Sequence, residues 1–186
     1  MYSSKIVFGF HGCDKKTRNK ILNKKDKIKS SHNDYDWLGS WVYFWENNPK
    51  RALEWAQYIK DNPKLFTTKI KTPAVLGAII DLGNCLNLLD SECLKLVKKS
   101  YEALFRYNKI TKNPMPENLN RINGIPLKRN LDNAVIRTTH NLLKLNKIKE
   151  FDTVKAAFLE GKDLYPNAGF KNKNHIQIYV RIRNLY

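Results

Sequence analysis

The stretch Trp41-Val42-Tyr43-Phe44-Trp45-Glu46-Asn47-Asn48-Pro49-Lys50-Arg51-Ala52-Leu53-Glu54-Trp55-Ala56 decides the fold class. Its first residues, Trp41 to Trp45, are aromatic or β-branched, the composition of a compact strand. Asn47-Asn48-Pro49 then supplies a cap with proline in the first helical turn, and Ala52, Trp55, Ala56 and Ile59 recur at helical spacing. A strand therefore runs directly into a helix.

Working outward, Ile6, Phe8 and Phe10 alternate with Val7, Gly9 and His11. This predicts a first strand whose phenylalanines form an apolar face, with His11 at the strand end on the opposite face. At the other end of the chain, Ile176, Ile178, Val180 and Ile182 share one face of a last strand. His175, Gln177, Tyr179, Arg181 and Arg183 share the other, so Gln177 points away from the aliphatic side. Pro73 to Leu82 predicts an apolar strand ending in Gly83, and Thr153 to Phe158 a short one. Strands at both ends with helices between them indicate an α+β or mixed α/β domain, with a mixed sheet core and peripheral helices.

Three helices complete this reading. Residues 14 to 24 form one, capped by Asp14, with Ile21 and Leu22 turned inward. Asp90 caps another, whose inward face is Cys93, Leu94, Val97, Tyr101, Leu104 and Phe105; a third runs from Asp132 to about Leu145. Residues 108 to 130, with prolines 114, 116 and 126, read as a loop, and Glu160 to Asn174 as a long irregular stretch. There is no internal repeat and no compositional break, so residues 1–186 read as one domain.

Thirty-four Lys plus Arg against seventeen Asp plus Glu leave a formal charge of +17, with a pI near 9.8. A field of that sign favours polyanions, because neutralising phosphates releases counterions and speeds encounter. The helix after Asp14 concentrates Lys15, Lys16, Arg18, Lys20, Lys24 and Lys25. Such a run is either a solvated face or a phosphate-contacting one. The cysteines Cys13, Cys85 and Cys93 have neither an even count nor metal-ligand spacing, which points to free thiols in a reducing compartment. No signal-peptide pattern and no membrane-length apolar run is present, so a cytoplasmic protein with no membrane partner is expected.

The common catalytic signatures are missing. The chain has no Gly-x-Ser-x-Gly, no Walker-type loop, no Gly-x-Gly-x-x-Gly and no His-Glu-x-x-His, and its four histidines are too scattered to hold a metal. Cys13 and His11 share a face only if the first strand continues through Gly12. What remains is a strand-end His-Gly and an aromatic wall, Trp37, Trp41, Tyr43, Phe44 and Trp45, suited to a flat polar ligand.

His11-Gly12 closing one strand and Val42-Tyr43-Phe44 in a second, followed at once by a helix, resemble the His and Tyr signatures of the poly(ADP-ribose) polymerase and diphtheria-toxin group of ADP-ribosyltransferases. The stretches FHG, NDYDWLGxxxYFWE, RALEWA, IDLGNCL, DTVxxAF and HIQIxVR, spanning Phe8 to Arg181, also resemble a set of small bacterial, toxin-like proteins of that fold.

The resemblance implies an ADP-ribosyltransferase-like split sheet and NAD as substrate. His11 would bond the adenosine-ribose hydroxyls, and the Gly12 backbone the nicotinamide carboxamide. Tyr43, with Phe44 beside it, would stack on the nicotinamide, and Trp55 would close its other side. The third signature of the group is a Glu, where this chain has Gln177. Glutamine orients a hydroxyl but supplies no negative charge and takes no proton. Polymer formation is therefore not expected. Single transfer would draw its carboxylate from Glu160, Asp163 or Glu46. Trp41, where related sequences carry Gly, would narrow the pocket.

With the charge, the resemblance implies a mono-ADP-ribosyltransferase of toxin or phage-defence type, its acceptor RNA or single-stranded DNA. Lys15, Lys16, Arg18 and Lys20 would contact the nucleic acid, together with Tyr165, Phe170, Lys171 and Lys173 of the loop before the last strand. A neutralising antitoxin protein would be a further partner. A protein acceptor, or a degenerate fold that binds NAD or RNA without turnover, are the alternatives.

Overall fold

A computed structural model describes residues 6–28, 42–122 and 125–181. In chain order the elements are β1 (Ile6–Asp14), α1 (Lys15–Leu22), β2 (Val42–Glu46), α2 (Pro49–Asp61), β3 (Pro73–Asp81), β4 (Cys85–Asn87), α3 (Ser91–Thr111), β5 (Asn118–Ile122), β6 (Ile125–Arg129), α4 (Asn130–Leu145), β7 (Thr153–Phe158) and β8 (His175–Val180). The class is α+β with a mixed sheet, antiparallel between β1, β2 and β3 and parallel between β4 and β7. Trp37, Leu38, Gly39 and Trp41 of the aromatic block lie outside the described residues, as do Ile182 and Arg183.

By its contacts the chain divides into two compact units, each assembled from separated stretches. One contains residues up to 29, Tyr43–Gly83 and Ala157–Val180; the other contains residues 30–42, Asn84–Ala156 and the C-terminal end. Each is built from discontinuous sequence, which is why no compositional break marks them.

In the first unit the strand order is β3-β1-β2-β8. β1 pairs with β3 along its whole length, Ile6 opposite Asp81 through Asp14 opposite Pro73. It does not stop at His11. The ladder carries it through Gly12 and Cys13 to Asp14, whose carboxylate caps α1 by accepting from the Lys16 N–H at 2.8 Å. The expected apolar face is also displaced: Ile6 and Phe8 are 59% and 58% exposed, and burial sets in from Gly9 onward. Leu22 faces solvent rather than the interior.

α2 starts as its sequence dictates. The Asn48 side chain accepts from the Arg51 N–H at 3.0 Å, and Pro49 occupies the first turn, where a missing N–H costs nothing. Its inner side buries Ala52, Ala56 and Ile59, beside Arg51. Small residues there let the helix lie flush on β1: a Cβ at Gly12 would stand 2.1 Å from the Ala52 carbonyl oxygen.

In the second unit α3 packs on α4. The buried line of α3 runs through Ser100 and Asn108, while the expected inward residues Leu94, Tyr101 and Phe105 are exposed. The expected inward residues Cys93, Val97 and Leu104 are half-buried, so hydrophobic periodicity found part of this face and missed its two most buried positions, which are polar. Residues 118–129, expected to be loop, form the antiparallel hairpin β5–β6. Its Asn118 side chain accepts from the Leu131 and Asp132 N–H groups and so caps α4, whose own N-terminal neighbour Arg129 makes no side-chain cap.

Candidate functional site

The neighbouring strands β1, β2 and β8 carry the residues expected at the site: His11-Gly12, Tyr43 and Gln177. Alternation assigns their faces. Phe10 lies opposite Trp45, so the next pair in the ladder is His11 with Phe44, and their ring centroids are 5.8 Å apart. Tyr43 and Trp45 point the other way. The Tyr43 ring meets Tyr179 edge-on with centroids at 4.2 Å, and Trp45 lies 6.2 Å from both His175 and Trp55. His11 and Tyr43 therefore occupy opposite faces, not one shared wall. What joins them is a hydrogen bond, His11 Nδ1–H to the Tyr43 carbonyl oxygen at 2.8 Å.

That bond fixes the form of the imidazole. Burial pushes the His11 pKa below its ordinary value, against a smaller opposing effect of the Tyr43 carbonyl. The ring is then neutral near pH 7, with Nδ1–H donating and Nε2 left as an acceptor. Cys13 shares the His11 face because β1 continues through Gly12, but burial raises its thiol pKa, which argues against a thiolate nucleophile.

Gln177 is 8% exposed and sits in a chain of polar contacts along β8. The Tyr179 hydroxyl donates to Gln177 Oε1 at 2.7 Å, and Gln177 Nε2 donates to His175 Nε2 at 3.0 Å. His175 Nδ1–H completes the chain by donating to the Lys173 carbonyl at 2.7 Å. Each donor meets an acceptor only if His175 is neutral, and burial does hold its pKa below the usual histidine value. The Phe158 ring stacks on His175 at 5.2 Å.

Glu160 stands just beyond β7, where Arg51 of α2 donates to it at 2.6 Å. Arg51 is buried and Glu160 half-exposed, and both charges act on His175 in opposite senses. Of the other candidate carboxylates, Asp163 is tied to Lys171, and Glu46 pairs in register with Gly9. Trp55 stacks on Tyr58 at 5.8 Å and packs edge-on against Phe66, so its ring is committed to a cluster beside α2.

The stretch before β8 is more ordered than its composition predicts. Asp163 bridges Lys171, the Leu164 N–H bonds the Phe170 carbonyl, and the Ala168 N–H closes a turn on the Tyr165 carbonyl. This displays Tyr165 and Phe170 outward, 55% and 60% exposed, while Lys171 is held by Asp163 and Lys173 is exposed. Gly161, at φ +90°, makes the sharp entry, and a Cβ there would stand 2.0 Å from Asn172 Oδ1. Lys15, Lys16 and Lys20 line one open basin beside α1. Arg18 does not join them; its guanidinium bonds Asn19 and its charge acts on the Cys13 side.

Arg51, His175 and Tyr179 were not legible as site residues. For the last two a signal existed, since the period-2 pattern already set them beside Gln177. Arg51 offered none among thirty-four basic residues.

An uncharacterized protein of the archaeon Methanocaldococcus jannaschii is similar to this chain, 27% identical over 149 residues that cover 80% of the chain and 63% of the relative. The chain thus spans less than two thirds of that relative's length. No family model matches the sequence, and no solved structure matches it. Among the described residues no helix is long and apolar enough to cross a membrane.

Proposed function

We propose that the protein is a NAD-dependent mono-ADP-ribosyltransferase with an ADP-ribosyltransferase-like fold, acting on RNA or single-stranded DNA. The observation that carries this reading is the placement of His11-Gly12, Tyr43 and Gln177 on three neighbouring strands, with the Arg51–Glu160 pair beside the β8 face. Two buried donors in this unit, Trp45 Nε1 and Arg51 Nε, have no hydrogen-bond partner among the described residues. That suits a ligand rich in acceptors, as a carboxamide, ribose and pyrophosphate are.

In the reaction the bond between ribose C1′ and the nicotinamide nitrogen breaks, and its electron pair leaves with nicotinamide. A bond from C1′ to the acceptor nucleophile replaces it, and the nucleophile gives up a proton. Catalysis requires a grip on the leaving ring and stabilisation of the positive charge growing on the ribose. Tyr43 supplies the ring surface. His11, on the opposite face of the sheet, acts indirectly, its Nδ1–H anchoring the Tyr43 backbone. Glu160, positioned by Arg51, supplies the negative charge that Gln177 lacks.

A second reading keeps the fold without turnover, and one observation favours it: both ends of the Gln177 amide already have protein partners. Incubation of the pure protein with adenine-labelled NAD and, separately, RNA, single-stranded DNA and cell lysate divides the readings. Nuclease-sensitive label supports the proposal, and protease-sensitive label supports a protein acceptor. Absence of label together with absence of nicotinamide release supports the non-enzymatic reading.

A further inference from the structure

A cluster of lysines gathers beside α1 and the segment before β3. Lys15, Lys16, Lys20 and Lys25 of the α1 region and Lys71 of the segment before β3 line an open basin of about 570 Å³. Asn19, Asn23 and Thr72 complete its polar lining, and Asp14 is its one acidic residue. No apolar side chain lines it.

The floor is tied together by Asp14. One carboxylate oxygen caps α1 at the Lys16 N–H, and the other accepts from the N–H groups of Lys71 and Thr72 at 2.8 and 3.0 Å. The Lys15 N–H bonds the Thr72 carbonyl at 2.8 Å, closing the two segments on each other. These backbone donors hold the Asp14 pKa below the usual carboxylate range and occupy both of its oxygens. None of the five lysines forms an ion pair among the described residues.

We infer that this basin is a docking site for the phosphate backbone of a nucleic acid strand, and that it holds the acceptor. The inference rests on the nucleic-acid reading of the function. Five lysines around one open basin match a run of successive phosphates, where free NAD offers only two. Amide and hydroxyl groups in the lining suit phosphate and sugar oxygens. An anionic membrane is a poorer fit, because the lining carries no apolar side chain to enter the headgroup layer. With no aromatic in the lining, the contact is sequence-independent and strongly salt-dependent.

The test is fluorescence anisotropy with a labelled single-stranded RNA of about 16 nucleotides, without NAD, over a series of salt concentrations. Binding without NAD is read independently of turnover, so failure here and failure of the transferase assignment are distinguishable. The comparison is between Lys16→Gln/Lys20→Gln/Lys71→Gln in the basin and Lys99→Gln/Lys109→Gln on exposed α3. We expect the basin variant to lose affinity at least tenfold and to lower the log–log salt slope by about one per lysine removed. The α3 variant is expected to stay within about twofold, and both to keep the wild-type melting temperature. Equal loss per lysine in the two variants would overturn the inference, since net charge would then explain the binding. So would displacement of the RNA by millimolar NAD, or tight binding to phosphatidylserine vesicles alongside none to RNA.

Discussion

The hydroxyl of Tyr179 donates to Oε1 of Gln177 at 2.7 Å, a bond between two buried side chains two residues apart on one strand face. It holds the glutamine that stands where the resemblance places a carboxylate, and it leaves His175 to receive the amide N–H. Tyr179→Phe keeps the ring packed on Tyr43 but strands Oε1 without a donor. Leaving a buried acceptor unsatisfied costs about 1–3 kcal/mol. Denaturant unfolding of Tyr179→Phe is expected to show that loss at an unchanged m-value.

The pH dependence follows from His175. Its pKa is lowered by burial, so between its folded value and the ordinary 6.5 the unfolded chain binds more protons than the folded one. Stability is therefore full above pH 6.5 and declines as pH falls through that window. His11 acts in the same direction. Gln177→Glu sets a carboxylate beside the imidazole, which favours the charged form, raises the His175 pKa and flattens the acid decline. NMR titration of the His175 ring in both proteins measures this, and a gain in NAD hydrolysis by Gln177→Glu would accompany it if residue 177 faces the ribose.

Gly12→Ala tests the close approach of α2. The new methyl group would lie 2.1 Å from the Ala52 carbonyl oxygen, backbone that no rotamer can move aside. Overpacking of this kind costs about 1–3 kcal/mol, and the variant should melt well below wild type. Gly169→Ala, which meets nothing within 4 Å, is the control and should be near neutral.

Much of this architecture was legible in the sequence, for reasons that differ by element. Asp14, Asn48 and Asp90 announced helix starts because capping is a local interaction between a side chain and backbone two or three residues ahead. The hairpin 118–129 was not legible. Its strands lack an apolar alternation, and its Asn118 acts across sequence as the cap of α4. Periodicity misjudged part of α3, where Leu94, Tyr101 and Phe105 are exposed and Ser100 and Asn108 buried, and part of β1, where Ile6 and Phe8 are apolar yet exposed. For the candidate site, the strands that carry His11, Tyr43 and Gln177 were readable, whereas their order in the sheet and the faces of their side chains were not. The extension of β1 past His11 depends on the pairing of Gly12, Cys13 and Asp14 with Val75, Ala74 and Pro73, and the part-buried salt link of Arg51 to Glu160 joins residues 109 apart.

In the proposed function Tyr43 and its neighbours hold NAD for cleavage at the nicotinamide bond, a role read out by release of nicotinamide from NAD. The account predicts release by the wild-type protein, increased by single-stranded RNA. It predicts a fall of about 10- to 100-fold in Tyr43→Ala, the equivalent of roughly 1–3 kcal/mol of ring stacking, with the fold retained. No nicotinamide release with any acceptor, or wild-type release by a folded Tyr43→Ala, would contradict it.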